Sequence, residues 1–242
     1  MIRLIRKKIG LKFLELRYPE NVVEEKGFDM VKIYSFRDFL ADGWVKEKQC
    51  TMMISLDKQI EELWVNIKDK YRKHIATERN KGVVVKKITN EEKNKKVYTK
   101  FYKELYIPLC KRENMKPYPL QYLSQGDLWY AEDNKGEIVS GSIIFHDDTY
   151  ATQSFAAPKH IEYNGHRSLI WAAIKFYKEA GLKWFNFGGG ESDYKRRFGS
   201  QKFDVWTYVM YLSQKARIMN SLRDNLSKIG YINKIINRKH GQ

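Results

Sequence analysis

Cysteine is almost absent from this chain of 242 residues. Cys50 and Cys110 are the only two, and neither belongs to a Cys-x-x-Cys motif or to a metal-ligand spacing. The sequence therefore predicts no metal site. Two isolated thiols without a secretory signal peptide are typical of a protein of the reducing cytosol.

Long apolar stretches are missing as well. No uncharged apolar run approaches the roughly 18 residues that identify a membrane-spanning helix. We therefore expect a cytoplasmic protein. Because the tail is basic and carries apolar residues at helical spacing, peripheral contact with the inner face of an anionic membrane stays open beside docking of the tail on the core.

Phosphate-binding glycine motifs are also missing, although residues 185–199 read FNFGGGESDYKRRFG. A P-loop needs G-x-x-x-x-G-K-[ST], whereas Gly190 is followed by Glu-Ser-Asp-Tyr-Lys. Counted from Gly188 and Gly190, the third glycine of a dinucleotide fingerprint is replaced by Asp193. We reject both nucleotide motifs and predict that the glycines end a buried strand, where they permit positive φ and close approach of another group.

Positive charge, in contrast, is abundant and uneven. Lys and Arg total 45 against 29 Asp and Glu, a formal net charge of +16. Residues 64–100 hold twelve basic and four acidic residues, and residues 214–242 hold seven and one. This clustering predicts an anionic partner, namely a nucleic acid, an acidic membrane surface or a phosphorylated substrate. A solvated lysine-rich surface is the alternative.

Hydrophobic periodicity predicts the order of the elements. Short strands occupy the first 55 residues, and we expect them to pair with each other or with the edge of the main sheet. The elements predicted after them are a helix from Asp57 to Gly82, a strand at 83–88, a helix from Thr89, strands at 127–133, 137–146 and 149–157, a helix from His166 to Gly181, strands at 182–188 and 202–212, and a basic helix from Ser213.

This order predicts an α/β protein with a twisted sheet of mixed, mainly antiparallel direction, flanked by helices. We divide the chain into three segments. Residues 1–55 form a strand-rich segment that packs on the main domain, residues 56–213 form that domain, and residues 214–242 form a basic helical tail.

Three segments in this order resemble the Fem-type (FemAB-like) peptidyltransferases of the GNAT acyltransferase superfamily. They are LWVNIKDKYRKHIATERNKGVVV (63–85), SLIWAAIKFYKEAGLKWFNFGGG (168–190) and YKRRFGSQ (194–201). The resemblance covers residues 57–212 and implies a GNAT-like sheet. It also implies an enzyme that forms an amide on an amine of a cell-envelope precursor, either a peptidoglycan or a polysaccharide precursor such as a sugar nucleotide.

The resemblance leaves the donor open between aminoacyl-tRNA and an acyl thioester such as acyl-CoA, each a co-substrate rather than a permanently bound cofactor. The glycine signature for acetyl-CoA is not visible before the helix at His166, where the chain reads EYNGHRS. Family members usually have two GNAT-like domains, so a second subunit is an alternative source of part of the cleft. A non-catalytic basic module of the same fold, binding tRNA or an anionic envelope component, is the alternative function.

Acyl transfer requires stabilisation of a tetrahedral oxyanion. By resemblance, Lys195 supplies positive charge to it and Tyr194 occupies the preceding aromatic position. The alternative is that Lys195 belongs to a basic surface run with Arg196 and Arg197. None of the five histidines has a partner in a motif, so no general base is predicted.

Further residues are candidates for substrate binding. Arg72 and Arg79 lie seven residues apart on one helix face and suit phosphate or carboxylate, with a solvated face as the alternative. Asn164 and Gly165 precede a helix, where free N–H groups suit an anion unless they serve simple capping. The remaining candidates are Gly189 and Gly190 as a substrate passage, Arg196 as an attractor of an anionic substrate, and Phe198 in the aromatic motif.

Overall fold

The computed structural model describes residues 1–8, 10–19, 25–39, 42–89, 91–159 and 165–222. The strands are β1 Ile2–Lys8, β2 Leu11–Arg17, β3 Met30–Ser35, β4 Val45–Ser55, β5 Val84–Ile88, β6 Asp127–Glu132, β7 Ile138–His146, β8 Tyr150–Pro158, β9 Trp184–Gly189 and β10 Gln201–Tyr211. The helices are α1 Ile60–Asn66, α2 Asp69–Asn80, α3 Glu91–Phe101, α4 Ile107–Arg112, α5 Leu120–Leu123, α6 His166–Glu179 and α7 Asp193–Arg196, with a π-helical segment Tyr102–Tyr106 between α3 and α4.

All ten strands form one sheet in the order β1-β2-β3-β10-β4-β9-β8-β7-β6-β5. Neighbouring strands are antiparallel except for the pairs β2–β3 and β8–β9. The predicted mixed, mainly antiparallel sheet is therefore confirmed. Within it, β6, β7 and β8 form an antiparallel meander beside β9. The expectation that the early strands pair at the sheet edge is wrong for β4, which lies between β10 and β9.

One face of the sheet, the helix face, is covered by α1, α2 and α6. In α6 the buried side chains Ile170, Ile174 and Tyr177 recur at four and three residues and pack on the sheet. Phe176 is 39% exposed. After α6, Gly181 takes the positive φ of 84° that glycine accommodates best.

The helix predicted from Asp57 is two helices, α1 and α2, and it begins at Ile60. The chain is extended at Ile67 and Lys68, with ψ near 130° and 138°. Lys68 N donates to the Arg197 carbonyl oxygen at 2.9 Å, and Ile67 is buried in the core. A contact with a distant part of the chain therefore interrupts the helical pattern.

The opposite face, the cleft face, is concave because the β1–β2 end of the sheet curls back over β7 and β8. Gln125 after α5 bonds both backbone groups of Ile5, at 2.9 and 2.7 Å. The amino group of Met1 lies 2.8 Å from Asp147. The N-terminal strands consequently form a wall opposite β8. No helix among the described residues is long and apolar enough to cross a membrane.

Candidate active site

A cleft opens where β8 and β9 separate. Their parallel pairing runs from Tyr150–Trp184 to Thr152–Asn186. Beyond it, β8 stays paired with β7 and β9 stays paired with β4. Ser154 is an extra residue in β8, a bulge that bends the strand away from β9. The wedge leads into a cavity of about 220 Å³ on the cleft face.

The cavity has aromatic walls and a polar floor, a composition typical of small-molecule sites. Its walls include Tyr18, Tyr34, Tyr118, Tyr122 and Phe155. Its polar groups include Glu15, Arg17, Gln49, Cys50, Thr51, Thr152, Gln153 and Ser154, together with the backbone of Gly188 and Gly189.

A nearly buried ion pair stands in the cavity wall on β2. Arg17 Nη2 lies 2.7 Å from Glu15 Oε1, and the two side chains are only 13% and 9% exposed. Arg17 Nη1 also donates to Ser154 Oγ at 2.8 Å, which ties the wall to the bulge of β8. Burial opposes the cation and lowers the pKa of Arg17, but the Glu15 carboxylate and the surrounding tyrosines together raise this pKa by more. The wall therefore carries a permanent positive charge whose main partner is Glu15.

A buried polar network lies at the point of the wedge. Asn186 is fully buried, and its Oδ1 accepts from Gly188 N at 2.7 Å and lies 2.6 Å from Thr51 Oγ1. Its Nδ2 donates to Tyr18 Oη at 2.5 Å. The network connects the N-terminal wall, the central strand β4 and the glycine run in one chain of contacts.

The ammonium group of Lys195 binds the backbone of the glycine run, residues 188–190. Its Nζ donates to the carbonyl oxygens of Gly188, Gly189 and Gly190 at 2.9, 2.7 and 2.9 Å. The short helix α7 places it there, since Ser192 caps that helix by accepting from Lys195 N. Burial lowers the pKa of the Lys195 ammonium. All three of its N–H bonds are used on carbonyls, so contact with an oxyanion would require exchanging one of them. The oxyanion role stays a prediction.

Lys195→Met tests this arrangement. We expect the free energy of unfolding to fall by about 1–3 kcal/mol, because three carbonyl groups lose a charged donor. Lys202→Met is the matched control, since Lys202 is 53% exposed and pairs only with Glu191 at the surface. Urea denaturation measures both. Unchanged stability in Lys195→Met would contradict a role in holding the loop and favour direct contact with substrate.

Several other predicted residues lie away from the cleft. The Tyr194 ring packs against Tyr71 and Phe198, at ring-centroid distances of 5.9 and 5.4 Å, in the core of the helix face. Burial raises its pKa well above the usual value, and its hydroxyl has no hydrogen-bond partner among the described residues. Arg72 and Arg79 belong to α2 on the same face, and neither lines the cavity.

Arg196 and Arg72 already have partners within the chain. Arg196 Nη1 lies 2.5 Å from Glu191 Oε1. Arg72 lies 3.5 Å from Asp69 and also donates to the Val65 carbonyl oxygen. Of the predicted residues, the structure thus places Gly189 in the cavity wall, with Lys195 bonded to its carbonyl oxygen, and it leaves Arg72, Arg79 and Arg196 outside the cavity lining.

A carboxylate of the chain itself occupies one N–H group at the start of α6. Glu78, fully buried on α2, accepts from Ser168 N at 3.0 Å and from Ser168 Oγ at 2.6 Å. Arg167 Nη1 lies 3.8 Å from its other oxygen. Gly165 is buried with φ of 73°, and a Cβ there would lie 2.8 Å from both Ala131 and Val83. Asn164, predicted beside it as an anion-binding residue, lies outside the described residues.

Sequence reasoning missed the wall of β2, the network at Asn186 and the role of Glu78. Acidic and basic residues at alternate positions of β2, Glu15 and Arg17, were a usable signal, because charged side chains on the inner face of a strand are uncommon. Nothing in the sequence near Asn186 or Glu78 indicates the distant partners.

Comparison with known proteins agrees with this geometry. A family model described as an acetyltransferase (GNAT) domain matches residues 120–196, which include β6 to β9, α6 and the glycine run. No curated protein matches the chain by sequence. Residues 120–196, which include both strands of the wedge, are thus similar in sequence to a GNAT domain.

Solved structures extend the likeness to nearly the whole chain. The C-terminal domain (DUF2156) of a protein assigned as a lysylphosphatidylglycerol synthetase from Agrobacterium fabrum matches with a TM-score of 0.60 and 11% identity, over 90% of this chain and 86% of that one. FemX matches with a TM-score of 0.58 and 12% identity, over 90% of this chain and 85% of that one. L-PGS from Bacillus licheniformis matches with a TM-score of 0.53 and 14% identity, over 92% of this chain and 85% of that one. The chain therefore has a GNAT-like fold, and the predicted resemblance to Fem-type proteins is confirmed at the level of the fold.

Proposed function

We propose that this protein is an N-acyltransferase that moves an aminoacyl group from aminoacyl-tRNA to an amine of a cell-envelope precursor. The observation that carries the proposal is the wedge between β8 and β9, which opens onto a cavity with a fixed polar network at its point. An acyl group entering there would meet hydrogen-bonding groups already held in place, as acyl transfer requires. One structural neighbour is assigned as a lysylphosphatidylglycerol synthetase, a name that refers to an aminoacylated lipid, and this favours aminoacyl over acetyl transfer.

The reaction that we propose is the aminolysis of an ester. The amine nitrogen attacks the acyl carbonyl carbon, and negative charge collects on the carbonyl oxygen. The bond to the ribose oxygen of the tRNA then breaks, that oxygen takes up a proton, and the amine loses one. Arg17 lines the cavity and Lys195 binds the glycine run beside it, and both cations favour the negative charge of the intermediate through space. The Glu15 carboxylate beside Arg17 offsets part of this effect.

The buried Glu78 at the start of α6 favours aminoacyl-tRNA over acyl-CoA as the donor. The start of a helix suits a diphosphate because its N–H groups are free and its dipole attracts negative charge. Here the Ser168 N–H is taken by the buried Glu78, whose carboxylate would repel a diphosphate. The net charge of +8 over residues 64–100, which include Arg72 and Arg79, suits the phosphate backbone of a tRNA instead.

The donor is tested by offering both classes to the purified protein. Aminoacyl-tRNA carrying ¹⁴C-labelled amino acids and ¹⁴C-acetyl-CoA are incubated separately with a nucleotide-linked peptidoglycan precursor that bears a free amine. We expect alkali-stable label, as an amide, on the precursor from aminoacyl-tRNA alone. Transfer from acetyl-CoA would contradict aminoacyl-tRNA as the donor. Transfer from neither donor would contradict the proposal that the protein is an acyltransferase.

One observation favours the second candidate, a non-catalytic module that binds tRNA or an anionic envelope component. The ammonium of Lys195 is fully occupied by carbonyl oxygens of the chain, as a purely structural lysine would be. Binding of tRNA that weakens with salt, without transfer to any amine, would support this candidate.

A further inference from the structure

Tyr18 has a backbone conformation that tyrosine rarely adopts. Its φ is 59°, and the other non-glycine residue with positive φ in the described chain is Asn114, which follows α4. The left-handed region costs a bulky residue about 1–2 kcal/mol. Such conformations persist where the surroundings enforce them, and they cluster at functional sites. Tyr18 follows β2 directly and lines the cleft.

Contacts on several sides fix the Tyr18 side chain. Its ring stacks on Phe36 with centroids 4.5 Å apart and an interplanar angle of 12°. The Tyr150 ring lies 4.7 Å away. The backbone N–H of Tyr18 donates to the Tyr34 carbonyl oxygen at 2.7 Å. The phenol is therefore held in one place before any substrate arrives.

The hydrogen bond from Asn186 determines what the phenol can do. Gly188 N donates to Asn186 Oδ1, so the other end of the amide, Nδ2, is the donor to Tyr18. The phenolic oxygen accepts in this contact, and the Thr152 hydroxyl beside it also acts as a donor to this oxygen. The O–H of Tyr18 itself is left for an acceptor on the cavity side. Burial raises the pKa of Tyr18 to about 12, so the phenol keeps its proton at neutral pH.

We propose that Tyr18 is a catalytic residue whose O–H donates a hydrogen bond to the acyl carbonyl oxygen of the donor in the wedge between β8 and β9. This inference rests on the proposed function and supplies an oxyanion donor that Lys195, occupied by carbonyls, does not. The phenol stabilises the charge on the carbonyl oxygen as the amine attacks and keeps its proton throughout. When the intermediate collapses, the carbonyl re-forms and the ribose oxygen leaves with the proton that the amine gives up.

The bond from Asn186 strengthens this role. A donor on the phenolic oxygen withdraws electron density from it, so its O–H becomes a better donor to a developing oxyanion. Because Asn186 is fully buried and accepts a hydrogen bond from Gly188 N, its side-chain amide keeps Nδ2 directed at the Tyr18 phenol. Asn186 is thus a positioning residue for Tyr18.

Tyr18→Phe keeps the ring stack and removes only the hydroxyl. In single-turnover transfer with aminoacyl-tRNA we expect the rate constant to fall about 10²–10³-fold, with little change in tRNA affinity. Tyr211→Phe is the matched control, because its hydroxyl bonds Asn220 outside the cavity. A rate within threefold of wild type in Tyr18→Phe would overturn the inference.

A second substitution separates chemistry from loss of structure. Fluorotyrosine at position 18 has a more acidic phenol and nearly the same shape. Because the buried phenol stays protonated at neutral pH, we expect its stronger O–H donor to keep the single-turnover rate constant at or above that of the wild type, whereas loss of the hydroxyl in Tyr18→Phe lowers it. A rate constant as low as that of Tyr18→Phe would contradict the role. Wild-type protein that transfers from neither aminoacyl-tRNA nor acyl-CoA overturns the proposed function and this inference with it, whereas active wild type with active Tyr18→Phe overturns this inference alone.

Discussion

Gly188→Ala is expected to lower the free energy of unfolding by about 2–5 kcal/mol. Gly188 has φ of 77°, which costs an alanine about 1–2 kcal/mol. A Cβ at this position would lie 2.6 Å from the Gln153 carbonyl oxygen. That oxygen belongs to the backbone of β8, so β8 or β9 would have to shift, at a further cost of about 1–3 kcal/mol.

The neighbouring glycines are matched controls for this prediction. A Cβ on Gly189 would have no heavy atom within 4 Å, and no positive φ occurs there. Gly190 has φ of 77° but also faces open space. Urea denaturation should therefore give the order Gly189→Ala, Gly190→Ala, Gly188→Ala from least to most destabilised. Equal stability of the Gly188 and Gly189 variants would contradict the close contact between β8 and β9.

Local patterns predicted those elements that local contacts form. The apolar runs of β6 and β7 reflect burial on both faces of the sheet, the apolar spacing in α6 reflects burial of one helix face, and the structure contains these elements. The break between α1 and α2 has a different origin. It depends on the bond from Lys68 to Arg197, two residues 129 positions apart, which no local pattern reveals.

The site was harder to predict than the fold for the same reason. Tyr18 reaches Asn186 only because the sheet curls and returns its N-terminal end to β8 and β9. Glu78 reaches Ser168 only because α2 packs on α6. The motif around Lys195 indicated that the glycine run belongs to the site. It did not predict that the Lys195 ammonium donates to the carbonyl oxygens of that run. The basic segment after residue 222 lies outside the described residues, and its role stays a prediction.

Acidification from pH 6.5 to pH 5 is expected to destabilise the protein through His166 by about 1.5 kcal/mol. Burial, followed by the nearby Arg167 charge, lowers the pKa of His166 to about 4. His166 therefore binds a proton near pH 6.5 in the unfolded chain but only near pH 4 in the folded chain. Stability falls as the pH falls through this window, and the full loss below pH 4 is about 3 kcal/mol.

His166→Asn tests this, because asparagine keeps a polar partner for Ser140, whose Oγ lies 2.9 Å from His166 Nδ1, and does not titrate. Urea unfolding at pH 6.5 and pH 5 should show a smaller difference in the variant than in the wild type. The pair formed by His146 and Asp127 changes the stability in a different pH range. Asp127 raises the pKa of His146, so its contribution is complete below pH 6.5 and is lost as the pH rises through the raised pKa. An equal acid sensitivity of His166→Asn and wild type between pH 6.5 and 5 would mean that His166 gains a proton without opening the core between α6 and the sheet.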